Sequence, residues 1–116
     1  MAVYVSNIVI EQGFDFNNIF QLSDALTDGP LNLVGYGITA QIRKSYSSSL
    51  ATTFTSTIVD SSQGTIKIEL TKEQTSLLKP GRYVYDIAIQ PGGLNSINDR
   101  SKAIEGMVLV RPGVTR

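Results

Sequence analysis

Asp86 and Glu105 are the two carboxylates best placed to act together, because each stands in the outward row of a strand-like segment and the two segments are candidates to pair. Two carboxylates flanking one bond are the minimum for glycoside hydrolysis, yet nothing else in the chain builds a sugar cleft around them. Histidine, cysteine and tryptophan are absent from all 116 residues. That removes the side chains that most often act as acid-base groups at neutral pH, as thiol nucleophiles and as zinc or copper ligands. Serine and threonine are plentiful, but a nucleophilic hydroxyl needs a base, and only lysine or carboxylate schemes remain. Gly35-Tyr36-Gly37-Ile38-Thr39-Ala40 has the spacing of a relaxed dinucleotide fingerprint. That motif requires a helix to open at its second glycine, whereas these residues alternate as a strand, so a turn or strand start is the reading. Asp24 and Asp28 flank a loop in which Leu26 occupies a position where an EF-hand needs an oxygen ligand, which leaves a solvated turn. The expectation is a non-enzymatic chain with no catalytic residue, no cofactor and no metal.

The elements that would carry these residues are short strands. Ile66, Ile68 and Leu70 alternate with Thr65, Lys67 and Glu69, the period of a half-buried strand. Ile38, Ala40 and Ile42 repeat the pattern, as do Tyr83, Tyr85, Ile87 and Ile89, and Ile104, Val108 and Val110 with Gly106 in their row. Phe14, Phe16, Phe20 and Leu22 share one parity, interrupted by Asn18, and Phe54 with Ile58 marks a weaker strand in a Ser/Thr-rich stretch. At the amino end Val3 and Val5 have one parity and Ile8 and Ile10 the other, which predicts a bulge or a switch of sheets near Ser6-Asn7. Turn signals fall between the segments at Asp28-Gly29-Pro30, Asp60 to Gly64, Pro80-Gly81 and Pro91-Gly92-Gly93. One helical turn is expected near residues 71–78, with Thr71 capping, Gln74 answering and Pro80 ending it.

About seven strands, one helical turn and no βαβ alternation predict an all-β fold, an immunoglobulin-like β-sandwich forming a single domain over residues 1–116. Leu78-Lys79-Pro80-Gly81-Arg82-Tyr83 has the form of a tyrosine corner, which makes Tyr83 structural. A hydrophobic fraction of 41% with ten basic and ten acidic side chains suits a globular protein and argues against a polyanion binder. The first residues lack the basic-then-apolar pattern of a secretory signal, and no run approaches the roughly 20 apolar residues of a membrane span. Neither nucleic acid nor membrane is therefore an expected partner. If the Tyr83 and Ile104 strands pair antiparallel, Val84 and Ala88 neighbour Met107 and Leu109 on the face away from the core. That apolar group is expected to be covered by another chain, by the amino-terminal strand or by the loop from Gly92 to Ser101. Val3, Val5 and Val9, on an edge strand from Val3 to Ile10, complete the candidate protein interface.

Read in order, several fragments resemble a family of small bacteriophage structural proteins and the amino-terminal module of phage baseplate upper proteins. They are Glu11-Gln12-Gly13-Phe14, the segment from Asp28 to Tyr36, Ala40-Gln41-Ile42-Arg43, the segment from Gly64 to Thr71, Gly81-Arg82-Tyr83-Val84-Tyr85-Asp86, and the run from Glu105 to Arg116. The resemblance covers nearly the whole chain. It implies an immunoglobulin-like sandwich built into a virion without catalytic activity, made in the host cytoplasm, and bound to other virion structural proteins or to itself in a homo-oligomeric ring or array. Because the chain ends with the module at Arg116, a tail or baseplate adaptor is expected rather than a receptor-binding protein. Capsid decoration or head-to-tail joining is the alternative in the same class. A carbohydrate-binding module, with Tyr4, Tyr36 and Tyr46 as its available aromatics, is the alternative from another.

Overall fold

Alternation of side chains decides which residues of this chain become core. The computed structural model describes residues 4–24, 29–49, 51–93 and 100–114. The strands are β1 (Tyr4–Val5), β2 (Ile8–Glu11), β3 (Phe16–Gln21), β4 (Tyr36–Arg43), β5 (Ala51–Thr53), β6 (Thr55–Asp60), β7 (Thr65–Leu70), β8 (Gly81–Pro91) and β9 (Ser101–Arg111). A 3-10 turn, Ser61–Gln63, joins β6 to β7, and a helix α1 (Lys72–Ser76) joins β7 to β8. Ile42, Ile66, Ile68, Tyr85, Ile87 and Val108, the expected inward residues, are all buried.

The larger sheet has the order β1-β9-β8-β4-β5, with β2 also paired to β9, and the smaller has the order β3-β7-β6. β1 and β2 run parallel to β9, whereas every other named pairing is antiparallel. A first strand laid parallel to the last, facing a second sheet built from the intervening strands, is the immunoglobulin-like sandwich. Among the described residues nine strands appear where about seven were expected, because two segments are divided. In the Ser/Thr-rich stretch the division falls at Phe54: β5 pairs with β4 in one sheet and β6 with β7 in the other. Phe54 is buried at the crossing, its N–H donating to the Ala40 carbonyl at 3.0 Å and its ring centroid 6.1 Å from Phe16 and 6.3 Å from Tyr85. One aromatic thus pins both sheets where the chain changes layer.

The corner between β7 and β8 forms as its residue types require. The Thr71 hydroxyl accepts from the Gln74 N–H at 3.2 Å and the Gln74 side chain accepts from the Thr71 N–H at 2.9 Å, a complete capping box. Thr75, fully buried, donates to the Phe14 carbonyl at 2.9 Å and accepts from the Gly13 N–H at 3.1 Å, which fastens α1 to the turn between β2 and β3. After Pro80 the Tyr83 hydroxyl donates to the Lys79 carbonyl at 2.7 Å. This is the tyrosine corner.

The amino-terminal segment departs from expectation. Val5 pairs with Glu105 and Ile8 with Val108, so the same register holds on both sides of Ser6-Asn7. There is neither a bulge nor a change of sheet; the change of parity reflects Val5 facing solvent and Ile8 facing the core. The interruption is a rotated peptide. The Ser6 N–H keeps its ladder bond to the Glu105 carbonyl at 2.9 Å, and in a regular parallel ladder the Ser6 carbonyl would accept from Met107. Instead the Met107 N–H donates to the Asn7 side chain at 3.0 Å, and the Ser6 carbonyl accepts from the buried Tyr85 hydroxyl at 2.5 Å. Gly106 makes this possible, because a Cβ there would collide with the Ser6 carbonyl.

Burial pushes the Tyr85 phenol above its ordinary value of 10.0. A raised folded-state pKa stabilises the fold fully below pH 10 and loses that contribution as pH climbs through the folded value. Tyr85→Phe leaves the Ser6 carbonyl without its donor. Urea denaturation at pH 7 should show a loss of roughly 1–3 kcal/mol, and the variant should lack the part of the alkaline destabilisation that belongs to this phenol.

Candidate docking face

The outward row of β9 is built by the same alternation that fills the core. Ile104, Val108 and Val110 point inward and are buried, which leaves Met107 and Leu109 on the opposite face at 50% and 42% exposure. The register sets their neighbours: Val84 of β8 opposes Met107, Arg82 opposes Leu109, and Val9 of β2 lies beside Leu109 from the other side. Val9 is 49% exposed, and Val5, four residues back along the same edge and beside Glu105, 74%. β2, β8 and β9 therefore share one apolar stripe, and Val5 of β1 extends it at the Glu105 end. Asn7, Ile8, Val9, Arg82, Met107, Val108 and Leu109 line a shallow depression of about 230 Å³ within it. Charges rim the stripe: Arg111 pairs with Glu11 at 3.3 Å at one end, and Lys102 reaches Glu105 at 3.3 Å and Asp86 at 3.7 Å at the other. An apolar centre inside a charged margin is the composition of a protein contact surface.

Two expectations need correction. Ala88 is not part of the stripe, since antiparallel pairing carries it away from Met107 and a register shift after Ile87 sets it opposite Lys102. It stands four residues from Val84, about 13 Å along the strand, in a polar depression with Thr39, Gln41, Asp86 and Arg100. The amino-terminal strand does not cover Met107 and Leu109 either. Because β1 and β2 pair beside β9 in the same sheet, they widen the stripe instead of lying over it. Val3 lies outside the described residues, as does most of the loop from Gly92 to Ser101. Arg82 and Asn7 join the lining as well; Arg82 shares its parity with Val84, so alternation places it on this face.

The groups that suggested chemistry are placed as follows. Asp86 and Glu105 are direct cross-strand partners, but Lys102 stands between them and joins both. The hydrogen bond to Glu105 raises the Lys102 pKa, and the charge of Asp86 adds to the effect. Together they form an ion triad at the surface. Gly35 adopts φ +81 and turns the chain into β4, so no helix follows that glycine pair. Ser76 and Lys79 have the spacing of a serine-lysine nucleophile pair, but the Ser76 hydroxyl donates back to the Lys72 carbonyl at 2.7 Å. Asp28 lies outside the described residues, and among those residues no group of three or more potential metal ligands gathers. Tyr4 lies on β1, Tyr36 opens β4 and Tyr46 follows the far end of β4, so the three belong to separate parts of the sheet.

No family model matches this chain, and no curated protein matches it. Among solved structures, an internalin-like protein of Listeria monocytogenes is similar over 90% of this chain and 27% of its own, at 15% identity and a TM-score of 0.43. A family 123 glycoside hydrolase of Clostridium perfringens is similar over 100% of this chain and 24% of its own, at 12% identity and a TM-score of 0.44. The chain spans about a quarter of either protein. Likeness at this level assigns no function.

The two rows of the larger sheet should respond differently to truncation. Ile87→Ala is expected to cost about 2–5 kcal/mol by thermal or urea unfolding, whereas Met107→Ser should stay within about 0.5 kcal/mol of the parent. Comparable losses at both positions would make Met107 core instead of surface.

Proposed function

We propose that this chain is a non-enzymatic bacteriophage structural protein, a tail or baseplate adaptor that docks on neighbouring virion proteins through the stripe formed by Val5, Val9, Val84, Met107 and Leu109. The observation that carries the docking role is that stripe: aliphatic side chains on β1, β2, β8 and β9, standing on the face away from the core and flanked by ion pairs. The fold does not need them there. A face whose only requirement was solubility would carry polar groups in that row.

The ordered fragments that resemble baseplate upper proteins support the virion setting, and they fall largely on β4, β7, β8 and β9. Physical chemistry is compatible with such a setting. Covering one half-exposed aliphatic side chain contributes on the order of 1 kcal/mol, about half the value for full burial, which is weak for a single contact but sufficient when many copies bind a symmetric array.

The test is quantitative mass spectrometry of virions of the encoding phage, split into head and tail fractions. Recovery with tails supports the adaptor, recovery with heads at high copy points to decoration or joining, and absence from both overturns the reading. The double variant Met107→Asp with Leu109→Asp should fold and fall at least tenfold in virion incorporation, since each charge must be desolvated in the contact.

A further inference from the structure

Two sheets present four edges, and three of them carry a feature that discourages pairing with another chain. β5 is 3 residues long. β6 shifts register between Ile58 and Asp60 and ends on that carboxylate. The β1 and β2 edge is interrupted at Ser6-Asn7 and ends at Glu11. Short, bulged, charged or broken edges are the devices by which sheets avoid uncontrolled growth. β3 has none of them. Its 6 residues, Phe16–Gln21, pair with β7 in unbroken register and include no charge, no proline and no glycine.

The free side of β3 can be identified. The Leu22 N–H donates to the Gly64 carbonyl at 2.8 Å, one ladder step beyond the pair Gln21 with Thr65. Backbone groups alternate in direction along a strand, so the even-numbered residues face β7. The N–H and C=O groups of Asn17, Ile19 and Gln21 face the opposite way, and among the described residues no strand lies there. The side chains of the same three residues are exposed on the outer face, Ile19 at 58%.

We propose that two copies of this chain pair through β3, antiparallel about a two-fold axis at Ile19. Ile19 then faces Ile19 of the second copy, and Asn17 faces Gln21 of the second copy on both sides of the axis. About six backbone hydrogen bonds close the gap and join the two smaller sheets into one. The occupant is a second copy because a two-fold contact demands a surface complementary to itself, and this row is: amide meets amide, isoleucine meets isoleucine, and no charge opposes another. Sliding the register by two residues would set Ile19 against Asn17 and Gln21 against Asp15, which leaves the aliphatic side chain facing an amide. The contact uses the smaller sheet; of the stripe only Val9 borders it, across a depression it shares with Asn17 and Asn18.

The absence of cysteine makes the register directly testable. Opposed residues in such a pair sit about 5.5 Å apart at Cα, within the range a disulfide spans. Under mild oxidation of the purified protein, Ile19→Cys should cross-link to itself. Asn17→Cys and Gln21→Cys should each stay largely free of cross-links alone and cross-link to one another when mixed. Sedimentation should show a concentration-dependent dimer that Ile19→Lys weakens at least tenfold, with the melting temperature unchanged at concentrations low enough for both proteins to be monomeric. A wild-type monomer at every accessible concentration, equal cross-linking at all three positions, or an undiminished dimer in Ile19→Lys would overturn the proposal.

Discussion

A single rotated peptide at Ser6 sets the shape of the larger sheet's edge. Its carbonyl points inward because Tyr85 offers a hydroxyl there and because Gly106 has no side chain to block it. The bond that Met107 would have given to Ser6 passes to the Asn7 side chain, so no backbone donor is stranded. These residues depend on one another: an alanine at 106 would expel the carbonyl, and without that carbonyl a buried phenol would lack its acceptor. What depends on the arrangement is the position of β1 and β2 in register beside β9. That register places Val5 and Val9 next to the outward row of β9 and so widens a narrow ridge into a stripe.

Much of this was legible in the sequence, for reasons that can be stated residue by residue. Ile66, Ile68 and Leu70 announce their strand because period-2 alternation has one interpretation when one face is buried. Thr71 with Gln74, and Tyr83 after Pro80-Gly81, are local devices whose partners lie within four residues, so spacing alone reveals them. What spacing cannot reveal is which sheet a strand joins. Phe54 reads as one strand residue among threonines, and only tertiary packing shows it to be the point where the chain changes layer. Ala88 falls outside the stripe for a plainer reason: with Val84 opposite Met107, antiparallel pairing alone carries it toward the other end of β9, and the register shift after Ile87 only sets its partner as Lys102. The altered parity at Ser6-Asn7 was a true signal attached to the wrong cause: it records which face each valine or isoleucine meets.

The two sheets have different characters. The larger is tied together across its edge by side-chain bonds and carries aliphatic groups on its outer face, a surface suited to flat contact. The smaller has a polar outer row and one edge left regular and uncharged, which suits extension by backbone hydrogen bonds. A sandwich with these two properties can hold a neighbour by one sheet and a copy of itself by the other, and neither contact requires a catalytic group.

The most direct measurement is oxidative footprinting of Met107, one of 2 methionines in the chain. Its side chain sits at the centre of the stripe and is half exposed in the free protein, so hydrogen peroxide should convert it readily to the sulfoxide in solution. If the stripe docks as proposed, that face in intact virions excludes the oxidant, and Met107 should be oxidised many times more slowly than in the purified chain. Equal rates in both settings would contradict the account, because the stripe would then stay open to solvent after assembly.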